Sequence, residues 1–562
     1  MIRYLLCLLA LTAAQAPART PTTASPVSTG AVSSAHPSAT EAGQEILRAG
    51  GSAADAAMAM MLALTVVEPQ SSGIGGGGFL LHHDARFAKV ETIDGRETAP
   101  AGADPKRFLG SDGNPLPFRR AVGGGRSVGV PGNIRLMALA HRKWGKLPWP
   151  RLFEPAIRLA EQGFPASRTL AGSSRMLSPV WSDFPAIRAL YAPTGAPVAE
   201  GTTVRNPALA AVLRKVAAEG PDAFYTGENA EAILQAVRTP GAPGDMTAAD
   251  LTSYRAKERA PVCGTYRAWR ICGMGPPSSG ATTVLGILGM LERFDLKALG
   301  AQNPQSWHLI AEAMQLAYAD REKYLADADF VRVPVKGLLD KAYLRRRSGL
   351  ISAERALGTY VSGNPPGAPA RTPAVQAEPA GTTHFVAVDA AGNVANMTST
   401  VEGPFGSQLV ANGYVLNNEL TDFTFVPERA GAPVANRVQG GKRPLSSMSP
   451  TIVYDRSGRP VFAVGAAGGK TIIMQVAKAL IAHLDWGMSA RDALGEGLIY
   501  FGRDGVILEQ GTKREALAEP MRALGHKVTI ARLGLKANAA ERTPSGWVGA
   551  ADPRSIGSSL QP

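Results

Sequence analysis

The sequence has few cysteines, three in 562 residues, and neither an HExxH nor a CxxC pattern, so a zinc or redox-dithiol centre has no signature. No run of five or more basic residues occurs. The formal charge of +13 is therefore spread out rather than gathered into a nucleic-acid patch, and no nucleic-acid partner is expected. The apolar run near the N-terminus is too short to span a bilayer, and no stable membrane anchor is expected. Heptads are absent, and the 62 glycines and 42 prolines are scattered, which excludes coiled-coil and collagen-like architectures. With 45% hydrophobic and 19% charged residues, the chain can bury a large core, which excludes disorder throughout.

The N-terminus reads as an export signal over residues 1–18. Arg3 is its positive end, Tyr4 to Ala14 its apolar stretch, and Ala14-Gln15-Ala16 or Ala16-Pro17-Ala18 its small-residue cleavage site. Cys7 would leave with it, and a periplasmic or secreted location follows. The remaining pair, Cys263 and Cys272, flanks a partly alternating segment. A disulfide across a hairpin and two buried thiols are both compatible with that spacing.

Two helices are predicted over Thr40–Ala49 and Ala53–Val67. The second is apolar nearly all round and should be buried, its Met58, Met60 and Met61 serving as core. Residues 73–78 satisfy G-x-G-x-x-G, but they follow a helix and precede a strand. That is the reverse of a dinucleotide loop, so a site of tight backbone packing is predicted. No cofactor or metal is expected. Helical signals dominate 132–260 and 303–356. Residues 357–381 are rich in Pro, Gly and Ala, and are expected to form an exposed, mobile linker.

At the end of that linker a strand begins abruptly, Thr382 to Val388, and turns at 389–393 into a second strand, Val394 to Thr400. A hairpin centred on Ala391 sets Thr382 opposite Thr400, close enough for the two hydroxyls to meet. A second predicted hairpin joins Thr451–Tyr454 to Val461–Val464 and folds Ser446-Ser447 back toward Gly468-Gly469. Two hydroxyls and two unshielded backbone amides then face one region, and paired N–H groups can hold an oxyanion. A helix follows over Thr471–Leu484.

Together with Asp94-Gly95-Arg96-Glu97-Thr98-Ala99-Pro100, Pro276-Pro277-Ser278-Ser279-Gly280, Asn417 to Phe423, Arg443 to Pro450 and Ala551-Asp552-Pro553-Arg554, these segments resemble the gamma-glutamyltransferase (glutathione hydrolase) family of N-terminal-nucleophile hydrolases, from about Gly30 to the C-terminus. The resemblance implies an α+β fold, a four-layer αββα sandwich. It implies a precursor that cuts itself between Gly381 and Thr382 into a large subunit, 19–381, and a small catalytic subunit, 382–562. Thr382 would be the nucleophile, Thr400 its hydrogen-bonding partner, and Gly468 and Gly469 the oxyanion donors. Arg96, Ser446 and Ser447 would take the α-carboxylate of a γ-glutamyl donor such as glutathione, and Glu419 and Asp422 its α-ammonium. Glu402 stands where the family commonly has asparagine, and could gather a third carboxylate around that ammonium. The segment between Asp422 and Ser446 looks short, which suggests a more open pocket. Cephalosporin acylases share the family, so a glutaryl-type acylase is the alternative enzyme. A catalytically inactive binding homologue is a third reading, opposed by the retained Thr382, Thr400, Gly468 and Gly469.

Overall fold

A computed structural model describes residues 30–239, 241–374, 381–502 and 505–561. The predicted export signal over 1–18, the predicted start of the large subunit at 19 and residues 375–380 lie outside the described residues. Among the described residues, no helix is long and apolar enough to cross a membrane.

Two central sheets are each covered by helices on one face. In chain order the strands are β1 (Ala31–Ser34), β2 (Gly77–Asp84), β3 (Lys89–Asp94), β4 (Lys257–Arg259), β5 (Val262–Tyr266), β6 (Trp269–Gly273), β7 (Thr383–Val388), β8 (Val394–Thr400), β9 (Thr451–Tyr454), β10 (Pro460–Ala467), β11 (Lys536–Thr543), β12 (Gly546–Ala551) and β13 (Ser558–Leu560). The first sheet runs β13-β1-β7-β8-β2-β3-β4, and the second β12-β11-β10-β9-β6-β5. Both sheets therefore combine strands from before and after Gly381. β1 lies between β13 and β7, and β9 pairs with β6.

Helices α1 (Pro37–Arg48) and α2 (Ala53–Val67) belong to the layer on the first sheet. α3 (Gly280–Leu291), α4 (Pro304–Tyr324) and α5 (Thr471–Leu484) belong to the layer on the second. Strand alternation explains the layering. Phe385 and Ala387 of β7 join the core under α2, whereas Val386 and Val388 point between the sheets with Ile452, Ala463 and Ala540. The result is the four-layer αββα sandwich.

All fifteen residues of α2 are buried, and its Met58, Met60 and Met61 lie in the core. The helix is capped by a reciprocal Ser52–Asp55 box. α1 starts three residues earlier than its apolar pattern suggests, because Pro37 suits the first turn and His36 caps it. The glycine run is a packing site. A Cβ at Gly76 would lie 1.9 Å from the Thr400 carbonyl oxygen, and one at Gly75 would lie 2.0 Å from that of Val415. Cys263 and Cys272 face each other across the β5–β6 hairpin and form a disulfide. Residues 357–374 lack regular structure but are pinned rather than loose. Tyr360 donates to Glu312, the Gly363 N–H to Asp320 and the Ala374 N–H to the Glu322 carbonyl, all three acceptors on α4.

Candidate active site

The β7–β8 hairpin has the predicted register, from Val394 opposite Val388 to Ser399 opposite Thr383. Turn chemistry fixes it: Asp389 Oδ1 accepts the N–H groups of Ala391 and Asn393, and Gly392 takes φ +85°. Continuing that register brings Thr382 opposite Thr400. The Thr382 hydroxyl donates to Thr400 Oγ1 at 3.1 Å, and Thr400 Oγ1 also accepts the Glu402 N–H at 2.8 Å. The Thr382 N–H donates to the Ser71 carbonyl at 3.1 Å.

Thr382 adopts φ +80°. For a β-branched residue that region is a true outlier, costing on the order of 1–3 kcal/mol. The strain sits beside a residue that only glycine can fill: a Cβ at Gly381 would lie 1.7 Å from the Glu402 carbonyl oxygen. The Gly381–Thr382 bond is thus held in one strained geometry between Ser71 and Glu402.

The second hairpin forms between β9 and β10, with a register shift at Val453/Tyr454. Its ends bring Ser446, Ser447 and Gly469 to one small cavity with Thr382, Thr400, Arg96, Glu402, Glu419 and Asp422. Gly468 is next in the chain to that lining, at φ +132°, and Gly469 has φ +58°, both in the region that favours glycine. Only Lys470 separates the pair from α5, so its amides lie near the positive end of a 14-residue helix, a setting suited to developing negative charge. The 276–280 segment supports the serines: Ser279 donates through N–H and hydroxyl to the Ser446 carbonyl, at 2.8 and 2.7 Å. Buried Arg321 bonds both Ser279 Oγ and Ser447 Oγ.

Electrostatics depart from a simple division of labour. Arg96, 1% exposed, pairs with Glu419 and, at 2.6 Å, with Asp422, and it also donates to the Leu445 and Pro444 carbonyls. The cation assigned to a carboxylate is therefore already held by the two anions assigned to an ammonium. Glu402 accepts from the Asn418 side chain at 2.8 Å. Burial pushes the Glu402 and Glu419 carboxyls well above the ordinary carboxylate range. The neighbouring carboxylates Asp422 and Glu419 reinforce this for Glu402, while Arg96 opposes it for Glu419. The sequence reading missed Glu97, fully buried next to Arg96, whose carboxyl burial lifts to about 7 against the pull of Arg96. Its only sequence signal was its place in the 94–100 segment. Four acids around one arginine leave room for a cation.

Glu97 gives a testable pH effect. A carboxyl titrating near 7 in the folded chain, against about 4.3 when unfolded, binds more protons folded than unfolded between those values. Its contribution to stability is thus present below about 4.3 and is lost as pH rises toward 7. Glu97→Gln removes this loss. The melting temperature of the variant minus that of the parent is expected to grow from pH 5 to pH 8. A pH-independent difference would show that Glu97 does not titrate in that range.

The family model described as gamma-glutamyltranspeptidase matches residues 39–561. The glutathione hydrolase proenzyme of Bacillus subtilis (strain 168) is 38% identical over 509 residues, covering 89% of this chain and 85% of that one. The Acylase ACY 1 proenzyme of Pseudomonas sp. (strain SE83) is 36% identical over 509 residues, 89% of this chain and 87% of its own. Among solved structures, the cephalosporin acylase from Bacillus halodurans superposes with a TM-score of 0.84 at 25% identity, covering 97% of this chain and 98% of that one.

Proposed function

The chain belongs to the gamma-glutamyltranspeptidase family, and from that premise we propose that it is a self-processing gamma-glutamyl hydrolase and transferase. The observation that carries this reading is the Thr382–Thr400 hydroxyl pair, which shares one cavity with Arg96 and three carboxylates.

In the precursor, Thr382 Oγ attacks the Gly381 carbonyl carbon. The C–N bond breaks, the nitrogen takes the hydroxyl proton, and an ester remains. That shift frees the Thr382 α-amine, and water then hydrolyses the ester to release the Gly381 carboxylate and the Thr382 hydroxyl. The chemistry needs that cut, because threonine is a weak nucleophile and wants an adjacent base. An amide nitrogen is no base, whereas a free α-amino group titrates at about 7.7–8.0 and is partly neutral near pH 7.

The mature Thr382 hydroxyl attacks the γ-amide carbonyl of the donor and passes its proton to the α-amine. The Gly468 and Gly469 N–H groups take the oxyanion, and the leaving amine departs with that proton. Water or the amino group of an acceptor then resolves the γ-glutamyl ester. The donor head group is a zwitterion, and it fits by exchange: its α-carboxylate replaces a carboxylate on Arg96 and meets Ser446 and Ser447, while its α-ammonium takes up the displaced Glu419 and Asp422 with Glu402. Both charges are matched, so little desolvation is left uncompensated. Glutathione is a donor of this class. Residues 1–18 would direct the chain to the periplasm or outside the cell, and residues 19–381 and 382–562 would remain associated as large and small subunits.

A glutaryl amide acylase is the second reading, because an acylase proenzyme and a cephalosporin acylase structure are among the relatives. A glutaryl group has no α-ammonium, so Glu402, Glu419 and Asp422 would face it without a counter-charge. The γ-glutamyl anilide is expected to turn over at least about tenfold faster than the glutaryl anilide, the ratio for one modest charged contact. Faster hydrolysis of the glutaryl compound would reverse the assignment.

A further inference from the structure

One partly buried ion pair near the nucleophile has no part in the chemistry above. Glu68, fully buried where α2 ends, accepts from Lys536 Nζ and from the Thr383 hydroxyl, both at 2.9 Å. Lys536, at the start of β11, also lies 3.3 Å from Ser71 Oγ and 3.5 Å from Thr383 Oγ1. The same Ser71 accepts the Thr382 N–H through its carbonyl, and Thr383 is the next residue after the nucleophile. A carboxylate and an ammonium are thus each one residue removed from the nitrogen that the cut turns into the catalytic base. The pair lies against three separate elements, α2, β7 and β11. Burying the Glu68 carboxylate is a costly way to obtain stability alone.

We propose that the Glu68–Lys536 pair is a positioning and electrostatic element that sets the protonation midpoint of the Thr382 α-amine. The proposal rests on the functional reading above. The two charges act with opposite sign: the Glu68 carboxylate favours the ammonium form of Thr382, and the Lys536 ammonium favours the neutral base. The other groups facing this region are His36, which burial pushes below its ordinary value, and Arg96, Glu402, Glu419 and Asp422 across the cavity. His36 responds to the same two charges, the Glu68 carboxylate raising its midpoint and the Lys536 ammonium lowering it.

The test is the acid limb of kcat/KM for a γ-glutamyl anilide as pH is varied, in protein shown by mass to be fully cut. Lys536→Met leaves Glu68 unopposed, and the limb is expected to rise by about one pH unit, the size of one unscreened charge at this range. Glu68→Gln leaves Lys536 unopposed, and the limb is expected to fall by a similar amount. Lys536→Arg keeps the charge and should leave the limb near the parent value. If Lys536→Met does not mature, the fall in Glu68→Gln and the return of the limb in the double variant carry the test. A purely structural pair would lower the rate without moving the limb, and limbs that stay still or move the same way would overturn the proposal. An uncut parent chain, or one inert toward the anilide, would sink the functional reading instead.

Discussion

Thr382→Ala is expected to yield one uncut chain without measurable turnover. The hydroxyl both opens the Gly381–Thr382 bond and forms the acyl ester, so one substitution removes maturation and catalysis together. The fold should persist, because β7 begins at Thr383 and the hairpin register is set by the Asp389 turn. Intact-mass measurement then gives a single species for the variant, against two for the parent, the smaller starting at Thr382. Activity should fall by at least about 10⁴-fold, the scale seen when a covalent nucleophile is deleted. Thr382→Ser, which keeps a hydroxyl, should still cut. Processing of Thr382→Ala at Gly381 would mean that another group opens the bond.

The second large effect is expected at Gly381. A Cβ there would come within 1.7 Å of the Glu402 carbonyl oxygen, a backbone atom held on a residue that is itself at φ +79°. Neither side can yield without moving the scissile carbonyl relative to Thr382 Oγ. A displacement near 1 Å costs on the order of 100-fold in a positioned reaction, so Gly381→Ala should mature at least that much more slowly. Once cut, Gly381 is only the end of the large subunit. Activity per cut molecule should therefore match the parent, which separates this effect from damage to the site. Time-resolved gels of the purified precursor would measure it, and maturation at the parent rate would refute the steric argument.

What the sequence made legible was local. The Thr382–Thr400 encounter follows from one short turn and a period of two. The buried α2 follows from an apolar pattern with no polar face. The glycine run was recognisable as packing because a helix precedes it and a strand follows. The rest depends on pairs far apart in the chain. Arg321 reaching Ser447 and Lys536 reaching Glu68 have no sequence spacing that could reveal them. The pairing of Arg96 with Glu419 and Asp422 was hidden for a different reason: charge type identifies what a residue can bind, while burial decides what it binds first. The pinned course of residues 357–374 was obscured because proline and glycine mark irregular backbone without saying whether α4 holds it.

The mixing of strands from both sides of Gly381 in each sheet changes the molecularity of refolding. Before scission, unfolding and refolding are first-order events of one chain, and β1 finds its place between β13 and β7 by closing loops within that chain. After scission the same placement requires an encounter of two molecules. Recovery from denaturant should then depend on protein concentration and compete with aggregation of exposed strand edges. Heating a mature sample and cooling it would return less native protein than the same treatment of the uncut Thr382→Ala chain. Scission thus exchanges reversibility for a free amine, and the durability of the mature form lies in its unfolding rate.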